Sequence, residues 1–211
     1  MSNKIYKKKA TRLKDYILIT PAASFPVTLQ EAKDYLKITG SDQDNEINQL
    51  IATATDIGEK ITGRDFINKT YKGFLDCFPN GCTGIEIKKS RLQTITSFQY
   101  FLNNILTNFN SSNYYTTQSN DYSTILLNSG SNYPDADDRQ QAVEVTFIAG
   151  YGNTANDVPD TIKKSILTHI AYLFENKGDC DTCGNDEVTR KIYQTYVIAS
   201  LIFRIIWLVK R

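Results

Sequence analysis

The sequence is poor in the residues that most often carry chemistry. Among 211 residues there is one histidine, one methionine and one tryptophan. A lone histidine leaves little room for His-based catalysis or a His-rich metal site. The four cysteines come with no apolar signal segment at the start, so free thiols in a reducing compartment are expected. The most apolar run, 197–209, is interrupted by Arg204. It is shorter than the roughly 20 residues a membrane span needs. With 41% apolar and 22% charged residues, the chain is not of disordered composition.

Net charge is also nearly absent, at +1, but its distribution is uneven. Residues 1–14 carry six cations (Lys4, Lys7, Lys8, Lys9, Arg12, Lys14) and no acid. Residues 188–211 carry five cations and no acid, so all 23 acids lie between the two basic ends. An acidic body with basic ends suggests that the ends touch something the body does not. For the N-terminal arm, a solvated tail, a nucleic-acid contact and a contact with a neighbouring subunit all stand open.

Periodicity divides the chain. Thr28-Leu29-Gln30-Glu31 has the form of a capping box and opens a first helix, with Gly40 placed to end it. Acids at 42–46 open a second helix, in which Ile47, Leu50, Ile51, Ala54, Ile57 and Ile61 form a stripe closed by Gly63. Short β-branched and aromatic runs follow between 66 and 150. The clearest is 142–148, where Val143, Val145 and Phe147 alternate with Glu144 and Thr146. The loops at 103–120 and 128–141 read as exposed. Helix returns after Asp157-Val158-Pro159, with Ile162, Ile166 and Ile170 inward, and a last helix starts near Glu187. The fold class expected is α+β: mainly an α-helical bundle, with helices from both ends of the chain and a small inserted antiparallel β-region. The expected parts are a basic arm (1–16), a bundle (17–65 and 155–200), a β-insert (66–154) and an apolar, basic tail (201–211).

No catalytic or metal constellation assembles. Cys180 and Cys183 have C-x-x-C spacing, but a zinc site would need Cys77 and Cys82 from a distant loop, so free thiols are the default. A redox C-x-x-C follows a strand, and this one follows a helix. His169 lies beside an apolar stripe and reads as a packed core residue. Gly150-Tyr151-Gly152 lacks the Lys-Ser/Thr of a phosphate loop and reads as a tight turn. Asp42, Asp44 and Glu46 lack the central glycine and closing glutamate of a calcium loop, and both they and Asp135, Asp137 and Asp138 read as solvated acidic loops. The chain is read as a non-enzyme without cofactor or metal.

The C-terminal segment is the most informative. Ile202, Phe203, Ile205, Ile206, Trp207, Leu208 and Val209 are large and apolar, with Arg204 among them and Lys210-Arg211 behind. Burying each fully would contribute roughly 1.5–3 kcal/mol. Such a segment is a core element or a docking element, and an apolar end flanked by cations suits a groove with an acidic rim.

Leu18-Ile19-Thr20-Pro21, then Pro26-Val27-Thr28-Leu29-Gln30-Glu31-Ala32-Lys33 with Tyr35-Leu36, resembles the opening of head–tail connector (adaptor) proteins of tailed bacteriophages. Thr62-Gly63-Arg64, Val145-Thr146-Phe147-Ile148-Ala149-Gly150-Tyr151-Gly152, Val158-Pro159 with Ile162, and Tyr172 with Glu175-Asn176 continue the resemblance in the same order. It implies a non-enzymatic ring, commonly of twelve copies, under the portal protein of the virion. That ring carries genomic DNA through its channel, meets the next tail or neck protein and is assembled in the host cytoplasm. It also implies that the C-terminal segment, residues 202–211, reaches the portal. The apolar character of this tail, the lysine-rich arm and the cysteine pair depart from the family pattern. Two other classes remain: a nucleic-acid-binding protein acting through the arm, and a membrane-surface protein using the Trp207 tail.

Overall fold

In the computed structural model, residues 11–79, 84–89, 91–119, 122–177 and 187–194 are described. They form two compact units. One takes the chain up to Thr20 together with Lys69–Ala149, and the other takes Pro21–Asn68 and the chain from Gly150 onward.

The first unit is all β. A five-stranded antiparallel sheet has the order β2 (Lys14–Thr20), β3 (Lys69–Leu75), β9 (Val143–Ala149), β5 (Leu92–Leu102) and β6 (Ile105–Asn108). A second sheet has the order β1 (Thr11–Arg12), β4 (Ile85–Ile87), β8 (Ser123–Leu127) and β7 (Tyr114–Gln118). Its pairs are antiparallel except the two-residue β1, which lies parallel to β4. The alternation read at 143–147 is real: Val143, Val145, Phe147 and Ala149 are buried at the centre of the larger sheet. They share one core with Ile85, Ile87 and Ile125 of the smaller sheet, as two sheets facing each other require. Aromatic rings extend this core. Phe78 stacks on Tyr133 at 5.0 Å, and Phe98 meets Phe109 edge-on at 5.0 Å.

The second unit is helical. α1 (Leu29–Leu36) opens with the expected capping box: Glu31 N–H donates to Thr28 Oγ1 (3.2 Å), and Thr28 N–H donates to Glu31 Oε2 (2.7 Å). It stops before Gly40, because Lys37 already takes the left-handed conformation at φ 56°. α2 (Asp44–Thr62) ends at Gly63, where φ of 69° favours glycine. Its buried face is turned from the predicted stripe. Gly58 and Thr62 are inside, whereas Ile57 and Ile61 are only half-buried. The cause is Tyr193 of α4 (Glu187–Tyr193). A side chain at position 58 would begin 2.8 Å from the Tyr193 ring. α3 (Asp160–Glu175) buries Ile162, Ile166, His169 and Ile170. Asp157 does not cap α3; it closes a 3-10 turn at Ala155–Asp157 with Thr154, and Pro159 holds the cap position.

The expectation of a mainly helical bundle with a small β-insert is therefore corrected. Among the described residues there are nine strands and four α-helices. The sheet core holds 15 buried residues against 12 in the helical core, so the sheets are no appendage of the bundle. Three segments account for the difference. Residues 17–20, expected with the helices, pair with β3 as β2. Residues 105–108 and 114–118, expected as loop, are β6 and β7. All three are outermost strands. An outermost strand is paired on one side only, so its sequence need not show the apolar alternation of a central strand.

Candidate functional site

The predicted contact residues fall largely outside the described residues. This applies to Lys4, Lys7, Lys8 and Lys9 of the arm, and to Ile202, Phe203, Arg204, Ile205, Ile206, Trp207, Leu208, Val209, Lys210 and Arg211 of the tail. Cys82, Cys180 and Cys183 also lie outside them, whereas Cys77 is an exposed free thiol. Arg12 and Lys14 can be placed. Arg12 Nε is 2.6 Å from Glu86 Oε2, and Lys14 Nζ is 3.6 Å from Asp76 Oδ2. These two cations answer acids of their own sheet unit, which lowers their value as phosphate contacts.

No group of three His, Cys, Asp or Glu side chains among the described residues could hold a metal, and no described helix is long and apolar enough to cross a membrane. His169 is fully buried, as its place on α3 predicts. The Tyr193 hydroxyl donates to the Ala54 carbonyl (3.1 Å), so the hydrogen shared with His169 Nδ1 (3.2 Å) belongs to the imidazole. This chain of contacts fastens α4 to α2 and α3. Burial holds the Tyr193 hydroxyl well above its ordinary 10.0, and it stays protonated.

The Gly150–Gly152 turn is structural. Gly150 sits at φ 146°, and a side chain there would meet the Asn68 backbone at 2.7 Å. Asn68 N–H donates to the Gly152 carbonyl (2.8 Å), so the turn closes on its own unit rather than around a phosphate. The acidic runs are partly occupied. Asp44 lies 2.6 Å from Lys33, and Glu46 lies 2.7 Å from Lys177. Glu31 pairs with Lys163. Desolvation pushes the Glu31 carboxyl up, but hydrogen bonds from Lys163 and Thr28 outweigh it and hold the group below its ordinary 4.5.

Two clefts stand out among the described residues. The larger, about 530 Å³, lies in the helical unit beside Phe25, Val27, Leu29, Ile51 and Ala155, with Asn48, Asn153 and Asn156 at its walls. No titratable side chain lines it. The smaller, about 310 Å³, holds Cys77, Tyr133 and Asp135 in the sheet unit. Tyr133 is pushed up to about 12 by burial, and no histidine or lysine lines the cleft to activate the thiol.

What remains is surface, and the sheet unit's is unusual. Ile17, Leu18 and Ile19 of β2 are half-exposed in a row. At the other side of the same sheet, Leu102, Ile105 and Leu106 stand out around the β5–β6 hairpin, with Ile105 68% exposed. The hairpin is held firmly. Leu102 pairs with Ile105 across Asn103 and Asn104, both at positive φ (53° and 61°), as a tight primed turn requires. The N–H groups of Asn103 and Asn104 donate to the two carboxylate oxygens of Asp137 (2.8 and 2.7 Å). Arg139 covers the Phe101 ring at 3.9 Å. Asp137, which the sequence presents as a solvated acid, therefore holds the hairpin turn. The available signal was the Asn-Asn pair between Leu102 and Ile105.

No protein-family model matches the chain, and no curated protein does. Solved structures do. A chain in the neck of an empty gene transfer agent (GTA) particle, computed with C6 symmetry, superposes with a TM-score of 0.70 at 14% identity. A chain in the virion of the native GTA particle gives 0.69 at 14% identity. One in the neck of the native particle, computed with C12 symmetry, gives 0.62 at 12% identity. Each match covers 88% of this chain and 96% of the other. Over most of its length, then, the chain has the fold of chains found in GTA particles, two of them in the neck.

Proposed function

We propose that this chain is a structural protein of the neck of a phage-like virion. It acts there without catalysis, as one of several copies in a ring between the portal protein and the tail. The ring extends the channel through which genomic DNA passes and presents a platform to the next neck or tail protein. Twelve copies are expected, to match a dodecameric portal. One observation carries this reading: the fold agrees with neck chains over 88% of the sequence, while the short motif blocks quoted above run in adaptor order along the same span. Exposed apolar side chains on the outer strands of the larger sheet fit an assembly role.

The tail, residues 202–211, docks on the portal in this reading. Its apolar side chains fill a groove, and Arg204, Lys210 and Arg211 meet an acidic rim. Capture of portal protein by the full-length chain is compared with capture by a chain ending at Ser200. The truncated chain is expected to lose binding. Equal capture would remove the tail from the account.

A further inference from the structure

We infer that neighbouring copies in the ring join edge to edge through the larger sheet, with β6 and the β5–β6 hairpin of one copy lying along β2 of the next. This rests on the ring reading proposed above. Both strands are outermost in one sheet, and among the described residues no strand pairs with their outer sides. Each therefore presents a row of main-chain N–H and C=O groups that a further strand would satisfy. Edge strands that stay in water are usually guarded by charge, proline or a bulge. β2 is guarded by charge only at its start, at Lys14 and Asp15, although its pairing with β3 is irregular between Lys14 and Ile17 and again between Leu18 and Thr20. Ile17, Leu18 and Ile19 beyond it are aliphatic, and β6 (Ile-Leu-Thr-Asn) carries no charge at all. The outer strand β7 of the smaller sheet differs, since Thr116, Thr117 and Gln118 make it polar.

The occupant is a second copy because one copy supplies both halves. Four successive antiparallel steps separate β2 from β6, so the two run in the same sense. Turning the next copy slightly about an axis along the strands brings its β2 beside β6. This is a head-to-tail contact, the kind that closes into a ring. Both halves are set in advance: Asp137 fixes the hairpin tip, and Tyr16 anchors β2 by packing on Phe147 (6.0 Å) and accepting from Lys88 N–H (3.0 Å).

The test uses full-length chain carrying either Ile17→Lys with Ile19→Lys, or Ile105→Lys, with unchanged circular dichroism as the folding control. Ultracentrifugation should show each variant alone associating roughly a hundredfold more weakly than wild type. The two mixed should form a one-to-one dimer and nothing larger, since one good interface survives. Lysine variants that still form wild-type rings would overturn the edge contact and leave the neck role standing. Self-association of the Ile105→Lys variant into dimers would replace it with a twofold β2 contact. A wild-type chain that stays monomeric at every concentration and on portal protein contradicts the neck role and this contact together.

Discussion

On the outside of the helical unit, charges meet: Glu31 with Lys163, Lys33 with Asp44, and Glu46 with Lys177. On the outer strands of the larger sheet, aliphatic side chains stand in water instead, at Ile17–Ile19 and at Ile105. Paired charges at a surface keep it soluble and discourage casual contact. Exposed aliphatic strands do the opposite. The difference is the one the proposed edge contact uses: of the exposed large apolar side chains among the described residues, Phe25 and Val188 lie in the helical unit and the rest in the sheet unit.

Both units must first stand on their own cores, and the largest effects test that. Phe147→Ala empties the centre of the sheet core and is expected to cost about 3–5 kcal/mol. Ile166→Ala in the helical core is expected to cost about 2–5 kcal/mol. Urea unfolding measures both, and a loss under about 1 kcal/mol for Phe147→Ala would return the sheet to the status of an appendage. Tyr193→Phe keeps the ring against Gly58 but removes both hydrogen bonds of the latch, and is expected to cost about 1–3 kcal/mol.

Smaller effects concern the surfaces. Thr28→Ala breaks the capping box of α1 and is expected to cost about 1 kcal/mol in the same measurement. The Glu31 carboxyl is depressed in the folded chain, so its contribution is present above pH 4.5 and is lost as pH falls below that value through the folded pKa. Glu31→Gln should flatten the acid limb of a stability–pH profile, and an unchanged limb would remove Glu31 from the account. Smallest of all for folding is Ile105→Lys, expected to shift stability within about 0.5 kcal/mol while weakening association strongly. If it unfolds the chain instead, Ile105 is a core residue and the contrast between the units fails.

Much of the helical unit was legible because its signals are local. Thr28 and Glu31 lie three residues apart, Gly63 closes α2, and the α3 stripe repeats at helical spacing. The rotation of α2 was not legible, because it depends on Tyr193, more than a hundred residues away. The central strand β9 declared itself by alternation. The outer strands did not, since a strand paired on one side carries a weak pattern, and β2 straddles the boundary between the expected arm and the expected bundle. The candidate surface was hidden for the same reason. Ile17–Ile19 and Ile105 become conspicuous only when the sheet order puts them at opposite edges. The ordered blocks, by contrast, carried the adaptor resemblance without any of this detail.

The proposed role is a ring of this chain on the portal side of a virion neck. Electron cryomicroscopy of the purified full-length protein mixed with its cognate portal protein tests it most directly. The account predicts a ring of copies on the tail-facing end of the portal, sharing its rotational symmetry, with a continuous channel through both. A portal that remains bare, or a chain bound there as scattered monomers without symmetry, would contradict it.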